Sequence, residues 1–215
     1  MKGINQKRFF IGIGFVTAFV VWTVLLRFVD VRAIGPNGSL VGFATLNGAV
    51  HNFIGTNMLL YTITDWLGLV PIITALGFAI LGLAQWIKRK SFLKVDRSIL
   101  ALGAFYIAVM ATFILFEYLA INYRPVLIDG YLEASYPSST TMLVTCVMPT
   151  SIMQFNTRIK NDTIRRAVII ALILFTAFMV IGRLVSGVHW LTDIIGGALI
   201  SIGLVTVYSA VYKAK

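Results

Sequence analysis

Apolar residues in this chain run in long blocks rather than alternating with polar ones. The blocks are about 20 residues long, the length that carries a helix across roughly 30 Å of hydrocarbon. Six are expected, at approximately Phe9–Leu26, Trp66–Ile87, Ser98–Tyr118, Ser138–Phe155, Ala167–Val185 and Trp190–Tyr212. The pattern predicts an all-α polytopic membrane protein of six transmembrane helices, with residues 1–215 forming one domain. Between the first two blocks, Leu40–Tyr61 is mildly apolar and dotted with Gly42, Asn47, Gly48, His51, Asn52, Gly55 and Asn57. It reads as an interfacial or re-entrant segment. Gly35-Pro36-Asn37-Gly38 signals a turn before it, and Thr64-Asp65 reads as an N-cap for the second span. Small residues Gly103, Gly196, Gly197 and Ala198 are expected where helices pack closely, and Trp66, Trp86 and Trp190 at the membrane interfaces.

Composition supports this: 59% of residues are hydrophobic and only 12% charged. The formal net charge of +10 suggests a nucleic-acid partner until its distribution is considered. Lys2, Lys7 and Arg8 precede the first block; Lys88, Arg89, Lys90, Lys94 and Arg97 join the second to the third. Arg158, Lys160, Arg165 and Arg166 join the fourth to the fifth, and Lys213 and Lys215 end the chain. All four groups fall on one side of a six-span topology. The positive-inside rule makes that side cytoplasmic, with both termini there, in the cell membrane, and no nucleic-acid role. The first block runs into Arg27 and Asp30 without a small-residue cleavage site, so a retained helix is expected. The single Cys146 lies in an apolar block and is expected to pack in the core. No acidic DxD-like cluster or His/Cys ligand set suggests a metal, so neither metal nor cofactor is expected. Oligomeric state is not specified by the pattern.

The chemistry-bearing residues gather in the connections on the side away from the basic clusters. His189 and Asp193 are separated by one helical turn, so the carboxylate can orient the imidazole. Arg183 lies just upstream. A carboxylate-backed imidazole beside a guanidinium suits nucleophilic attack on phosphorus, although such His–Asp pairs also decorate ordinary helix surfaces. Arg124-Pro125 sits in another such connection, followed by Tyr136-Pro137-Ser138-Ser139-Thr140, where small hydroxyl residues open a helix and can cap it or cradle an anion.

Together these segments resemble the type 2 phosphatidic acid phosphatase superfamily, which includes bacterial acid phosphatases and vanadium haloperoxidases. Its pattern is Lys-x6-Arg-Pro, Pro-Ser-Gly-His and Ser-Arg-x5-His-x3-Asp. Arg124-Pro125, Pro137-Ser138 and Arg183, His189, Asp193 match in order and spacing. The resemblance implies a six-span integral-membrane phosphatase, with His189 forming a phosphohistidine and Asp193 orienting it. It further implies that Arg124 and Arg183 clamp the phosphate, and that Ser138, with the N–H groups of Ser139 and Thr140, completes the cradle. Four positions depart from the pattern. Glu117 stands for the lysine, Ser139 for the glycine, Thr140 for the second-motif histidine, and Gly182 for the serine. The lost histidine is the family's general acid, a group worth about 10²–10⁴-fold, and threonine cannot replace it.

Three substitutes are open: His51 from the long first connection; Glu117 as an acid, a base or a structural partner of Arg124; or a substrate needing no acid. A diphosphate expels a phosphate monoester, whose second pKa is about 6. That favours polyprenyl diphosphates or phosphoryl transfer between lipid carriers. The expected activity is that of a metal-independent lipid phosphatase or phosphotransferase, with its site on the extracellular or periplasmic side. The alternatives are a disabled phosphatase frame that binds or carries a phosphorylated lipid and, more remotely, a small transporter.

Overall fold

The computed structural model describes residues 5–212. Lys2, Lys213 and Lys215, counted above in the basic clusters, lie outside them. Among the described residues the fold is all-helical: α1 (Gln6–Phe28), α2 (Ala44–Ile54), α3 (Met58–Leu67), α4 (Leu69–Arg89), α5 (Arg97–Leu119), α6 (Ser139–Arg158), α7 (Asp162–Val185) and α8 (Leu191–Tyr212). Helices α1, α3–α4 taken together, α5, α7 and α8 are long and apolar enough to cross a membrane.

The fourth expected span, α6, differs in kind. It is 20 residues long but carries Thr140, Thr141, Thr145, Thr150, Ser151 and Gln154. It packs against α4, α5, α7 and α8, so protein rather than lipid surrounds it. Several of its hydroxyls are satisfied within the helix, Thr150 donating to the Cys146 carbonyl at 2.8 Å and Ser151 to that of Val147 at 2.7 Å, while the buried Thr141 Oγ1 has no partner among the described residues. Cys146 is buried beside them, as expected.

The first connection is also not one segment. Gly55, at φ +70°, ends α2, and Asn57 caps α3 by accepting from the Leu60 N–H at 2.9 Å. The second membrane segment therefore begins at Met58, with a break at Gly68. Thr64 and Asp65 lie inside α3 and do not cap α4. The long pairing of α1 with α8 passes through Gly12 and Gly203, where an added Cβ would meet the opposite helix at 2.7 and 2.8 Å. Gly196 and Gly197 are close-packed as expected, but Gly103 faces open space.

The two ends of the bundle have different chemistry. At one, Asp96 accepts from Arg89 at 2.9 Å, Gln85 at 2.9 Å and Arg158 at 3.2 Å, and Gln154 donates to Tyr208 Oη at 2.9 Å. That end carries the basic residues and a satisfied network. The other end carries His189.

Candidate active site

Two connections and one helix start build the site. Between α5 and α6 the chain folds back on itself. Arg124 N–H donates to the Glu133 carbonyl at 3.0 Å and Ser135 N–H to the Asn122 carbonyl at 2.9 Å. Asp129 and Gly130 turn the tip with φ of 48° and 84°, the positive pair that a two-residue hairpin turn requires. The fold-back sets Arg124 opposite Glu133, with Nε 2.9 Å from Oε2. Tyr136 anchors its far end: its hydroxyl lies 2.7 Å from Thr23 Oγ1, and its ring stacks on Phe19.

Between α7 and α8, Gly187 adopts φ +68° against the backbone of Gly55, where a Cβ would collide. Asn57 N–H donates to the Ser186 carbonyl at 2.9 Å, tying this turn to the start of α3. His189 emerges from the turn buried, at 3% exposure.

Asp193 reaches back from the first turn of α8 to accept the Trp190 N–H at 3.0 Å, half of a capping box. It also accepts from the Asn122 amide at 3.3 Å. Asn47, buried on α2, accepts the Thr192 N–H at 3.2 Å, serving an N–H that the helix start would leave unpaired. With Asp193 fixed, His189 Nδ1 lies 3.7 Å from its Oδ2, and His189 Nε2 lies 3.3 Å from Arg124 Nη1. A guanidinium can only donate, so Nε2 accepts and the imidazole proton sits on Nδ1, facing the carboxylate. Burial, then the charges of Arg124 and Arg183, hold the ring well below the ordinary histidine pKa, against a smaller opposing effect of the Ser135 backbone. These effects favour the neutral imidazole, and in this tautomer the lone pair lies on Nε2.

A cavity of about 500 Å³ opens in front of it, lined by residues that include Glu117, Arg124, Glu133, Ser139 and His189. Ser138 does not line it; it caps α6, accepting from the Thr141 N–H at 3.5 Å, while its own N–H donates to the Asp193 carbonyl at 3.0 Å. Thr140 is nearly buried behind the wall. Glu117 is exposed in the wall, and the carboxylate paired with Arg124 is that of Glu133. His51 stands outside the lining, edge-on to Trp190 with ring centroids 5.4 Å apart, and burial lowers its pKa. Trp190 itself is buried rather than interfacial, its indole N–H donating to the Tyr123 carbonyl at 2.7 Å.

Arg183 sits behind the cavity wall at 1% exposure. It donates to Asp65 Oδ1 at 3.1 Å, Thr64 Oγ1 at 3.3 Å and the Tyr61 carbonyl at 3.4 Å. The Tyr61 ring carries both guanidiniums, with Arg183 Cζ 4.9 Å and Arg124 Cζ 5.8 Å from its centroid. A chain Asp65–Arg183–Tyr61–Arg124–Glu133 thus runs across the site. From sequence, its members Tyr61, Asp65 and Glu133, with Asn122 and Asn47, have no assigned place in the site. The Asp129-Gly130 turn is the local signal that would have placed Glu133 opposite Arg124.

Below the cavity, an apolar cleft of about 850 Å³ runs between α4 and α5. One face of α5 joins the two: Gly103, Tyr106 and Met110 line the cleft, and Phe113 and Glu117 line the cavity.

No curated protein sequence matches the chain. A crystal structure described as the first transmembrane PAP2 type phosphatidylglycerolphosphate phosphatase, from Bacillus subtilis, has a similar fold. Its TM-score is 0.61, over 92% of this chain and 94% of that one at 18% identity. The profile of the PAP2 superfamily matches residues 101–215, the stretch holding most of α5, all of α6 and α7, α8 and the segments around Arg124, Ser138 and His189. The chain belongs to the PAP2 superfamily.

Proposed function

We propose that this protein is a membrane lipid phosphatase or phosphotransferase working through a phosphohistidine at His189, with residues 1–215 acting as one unit. The observation that carries this is the placement of His189: buried with Nδ1 3.7 Å from Asp193 and Nε2 3.3 Å from Arg124, in the wall of a cavity that both His189 and Arg124 line. Arg124 Nη1 turns from Nε2 to a phosphate oxygen, the freed Nε2 lone pair attacks phosphorus, and the bond to the leaving oxygen breaks, that oxygen keeping the electron pair. The new imidazolium is stabilised by Asp193. Water or an acceptor hydroxyl then takes the phosphoryl group from the ring. Arg124 and the first-turn N–H groups of Ser139 and Thr140 meet the phosphate oxygens. Arg183 acts through the field it adds and through Tyr61. Glu117, free in the cavity wall, is placed to orient the water. No step is assigned to His51.

Thr140 supplies no acid, so a good leaving group is favoured, and a polyprenyl diphosphate fits better than a phosphate monoester. The apolar cleft beneath the cavity suits a hydrocarbon tail. The site end lies away from the basic clusters Lys88–Arg97 and Arg158–Arg166, which supports an extracellular or periplasmic site with cytoplasmic termini. Thr140 and Glu117 also favour a second reading, a binder of phosphorylated lipid built on a disabled frame. Phosphate release from a polyprenyl diphosphate and from a phosphatidate, in detergent with EDTA, separates them. Release that is faster from the diphosphate and lost in His189→Ala supports the enzyme. Binding without release from either lipid supports the binder.

A further inference from the structure

Arg124 is the one cation among the described residues that line the cavity, and it already holds an anion. Glu133 Oε2 lies 2.9 Å from Arg124 Nε, and Glu133 is itself part of the cavity wall. The fold-back fixes this pairing by register, since Arg124 N–H also donates to the Glu133 carbonyl. The Glu133 side chain is 43% exposed against 10% for Arg124, so the carboxylate approaches from the side open to ligand.

We propose that Glu133 is a specificity-determining residue: a tethered carboxylate that a terminal phosphate displaces from Arg124 and a phosphodiester does not. The proposal rests on the lipid phosphatase reading of the same site. The physical case is one of competing charges. Bulk membrane phospholipids are phosphodiesters with one negative charge per phosphate, and they vastly outnumber any substrate. A terminal phosphate carries about −1.5 to −2 at neutral pH. A carboxylate on the opposite limb of the fold-back acts intramolecularly, at an effective concentration on the order of millimolar or more. It cancels the pull of Arg124 on a monoanion and yields to the stronger field of a near-dianion. Without it the clamp is occupied by the surrounding membrane. Glu117 adds a second negative charge to the wall but forms no ion pair with Arg124 among the described residues, so it separates general repulsion from direct competition.

The test uses the full chain in mixed micelles at a fixed mole fraction of polyprenyl diphosphate, with neutral detergent replaced stepwise by phosphatidylglycerol. Wild-type phosphate release is expected to follow surface dilution alone. Glu133→Gln, nearly the same shape without the charge, is expected to be inhibited by phosphatidylglycerol with a constant about tenfold lower, equivalent to ~1.4 kcal/mol. Its KM for the diphosphate is expected to fall as well. Equal sensitivity of Glu133→Gln and wild type overturns the proposal, as does equal sensitivity of Glu117→Gln and Glu133→Gln. Absence of wild-type turnover would instead count against the phosphatase reading. Calorimetric titration with inorganic phosphate then decides about Glu133 independently. Tighter phosphate binding by Glu133→Gln, with stronger competition from phosphatidylglycerol, sustains the proposal; unchanged binding and competition overturn it.

Discussion

Arg183 Nη2 donates to Asp65 Oδ1 across 3.1 Å, tying the end of α7 to α3. The arginine is 1% exposed, and Asp65 is its single ion-pair partner among the described residues. The motif arginine is thus held by the helix pair rather than pointing freely into the cavity. Asp65→Asn leaves the guanidinium with neutral acceptors only, and the protein is expected to lose about 1–3 kcal/mol, the scale of an under-satisfied buried charged group. Thermal unfolding in detergent checks this, with Glu133→Gln, whose partner Arg124 is less deeply buried than Arg183, expected to shift the midpoint less.

Gly182, where the family has serine, explains how α3 comes so close. A Cβ at 182 would stand 2.8 Å from Thr64 Cγ2. Gly182→Ser is therefore expected to cost about 1–3 kcal/mol by overpacking, and to weaken activity by moving Thr64 and Asp65 away from Arg183. Thr64→Ser removes the obstructing methyl group. The double variant should recover most of the loss, and an additive double-mutant cycle would contradict the steric account.

That His189, Asp193 and Arg124 belong to one site was legible in the sequence because the motifs that carry them are short. His189 and Asp193 lie one turn apart, and Arg124 lies next to its proline. What surrounds them was not legible, because it comes from elements distant along the chain. Asn47 serves α8 from α2, Asn122 reaches Asp193 across the fold-back, and Tyr61, Thr64 and Asp65 meet Arg183 from α3. Thr64-Asp65 resembled a cap because polar residues precede an apolar run, yet the helix begins at Met58. Hydrophobic block length gave α6 as a span. Its polar residues are tolerated because four helices cover it. Trp190 was placed at an interface by residue type alone, whereas its indole N–H has a buried carbonyl to bind.

The depressed pKa of His189 has consequences of definite sign. Its ordinary value is 6.5, and burial with Arg124 and Arg183 places the folded value well below that. Between the two values the unfolded chain binds more protons, so stability is fully present above about pH 6.5 and is lost as pH falls toward the folded value. Turnover needs the neutral ring, so the acid limb of kcat/KM is expected well below 6.5. An acid limb at or above that value would show that His189 is not in the environment described.

Asp193→Asn keeps shape but removes the charge that would stabilise the imidazolium. The fall in kcat is expected to be on the order of 10⁴-fold, the scale seen when a buried aspartate orienting a catalytic histidine becomes asparagine. KM should change little, because Asp193 lies behind the ring and does not line the cavity. A variant that loses affinity and keeps kcat would place Asp193 in binding.

Covalent attack by His189 Nε2 leaves a phosphoenzyme that rapid quenching traps. Full-length protein in detergent with EDTA is mixed with a polyprenyl diphosphate labelled with ³²P at the terminal phosphate, quenched in alkali, and assayed for protein-bound label. The account predicts alkali-stable, acid-labile label on His189 in the wild type, and none in His189→Ala. Full turnover with no such label, or turnover retained by His189→Ala, would contradict it.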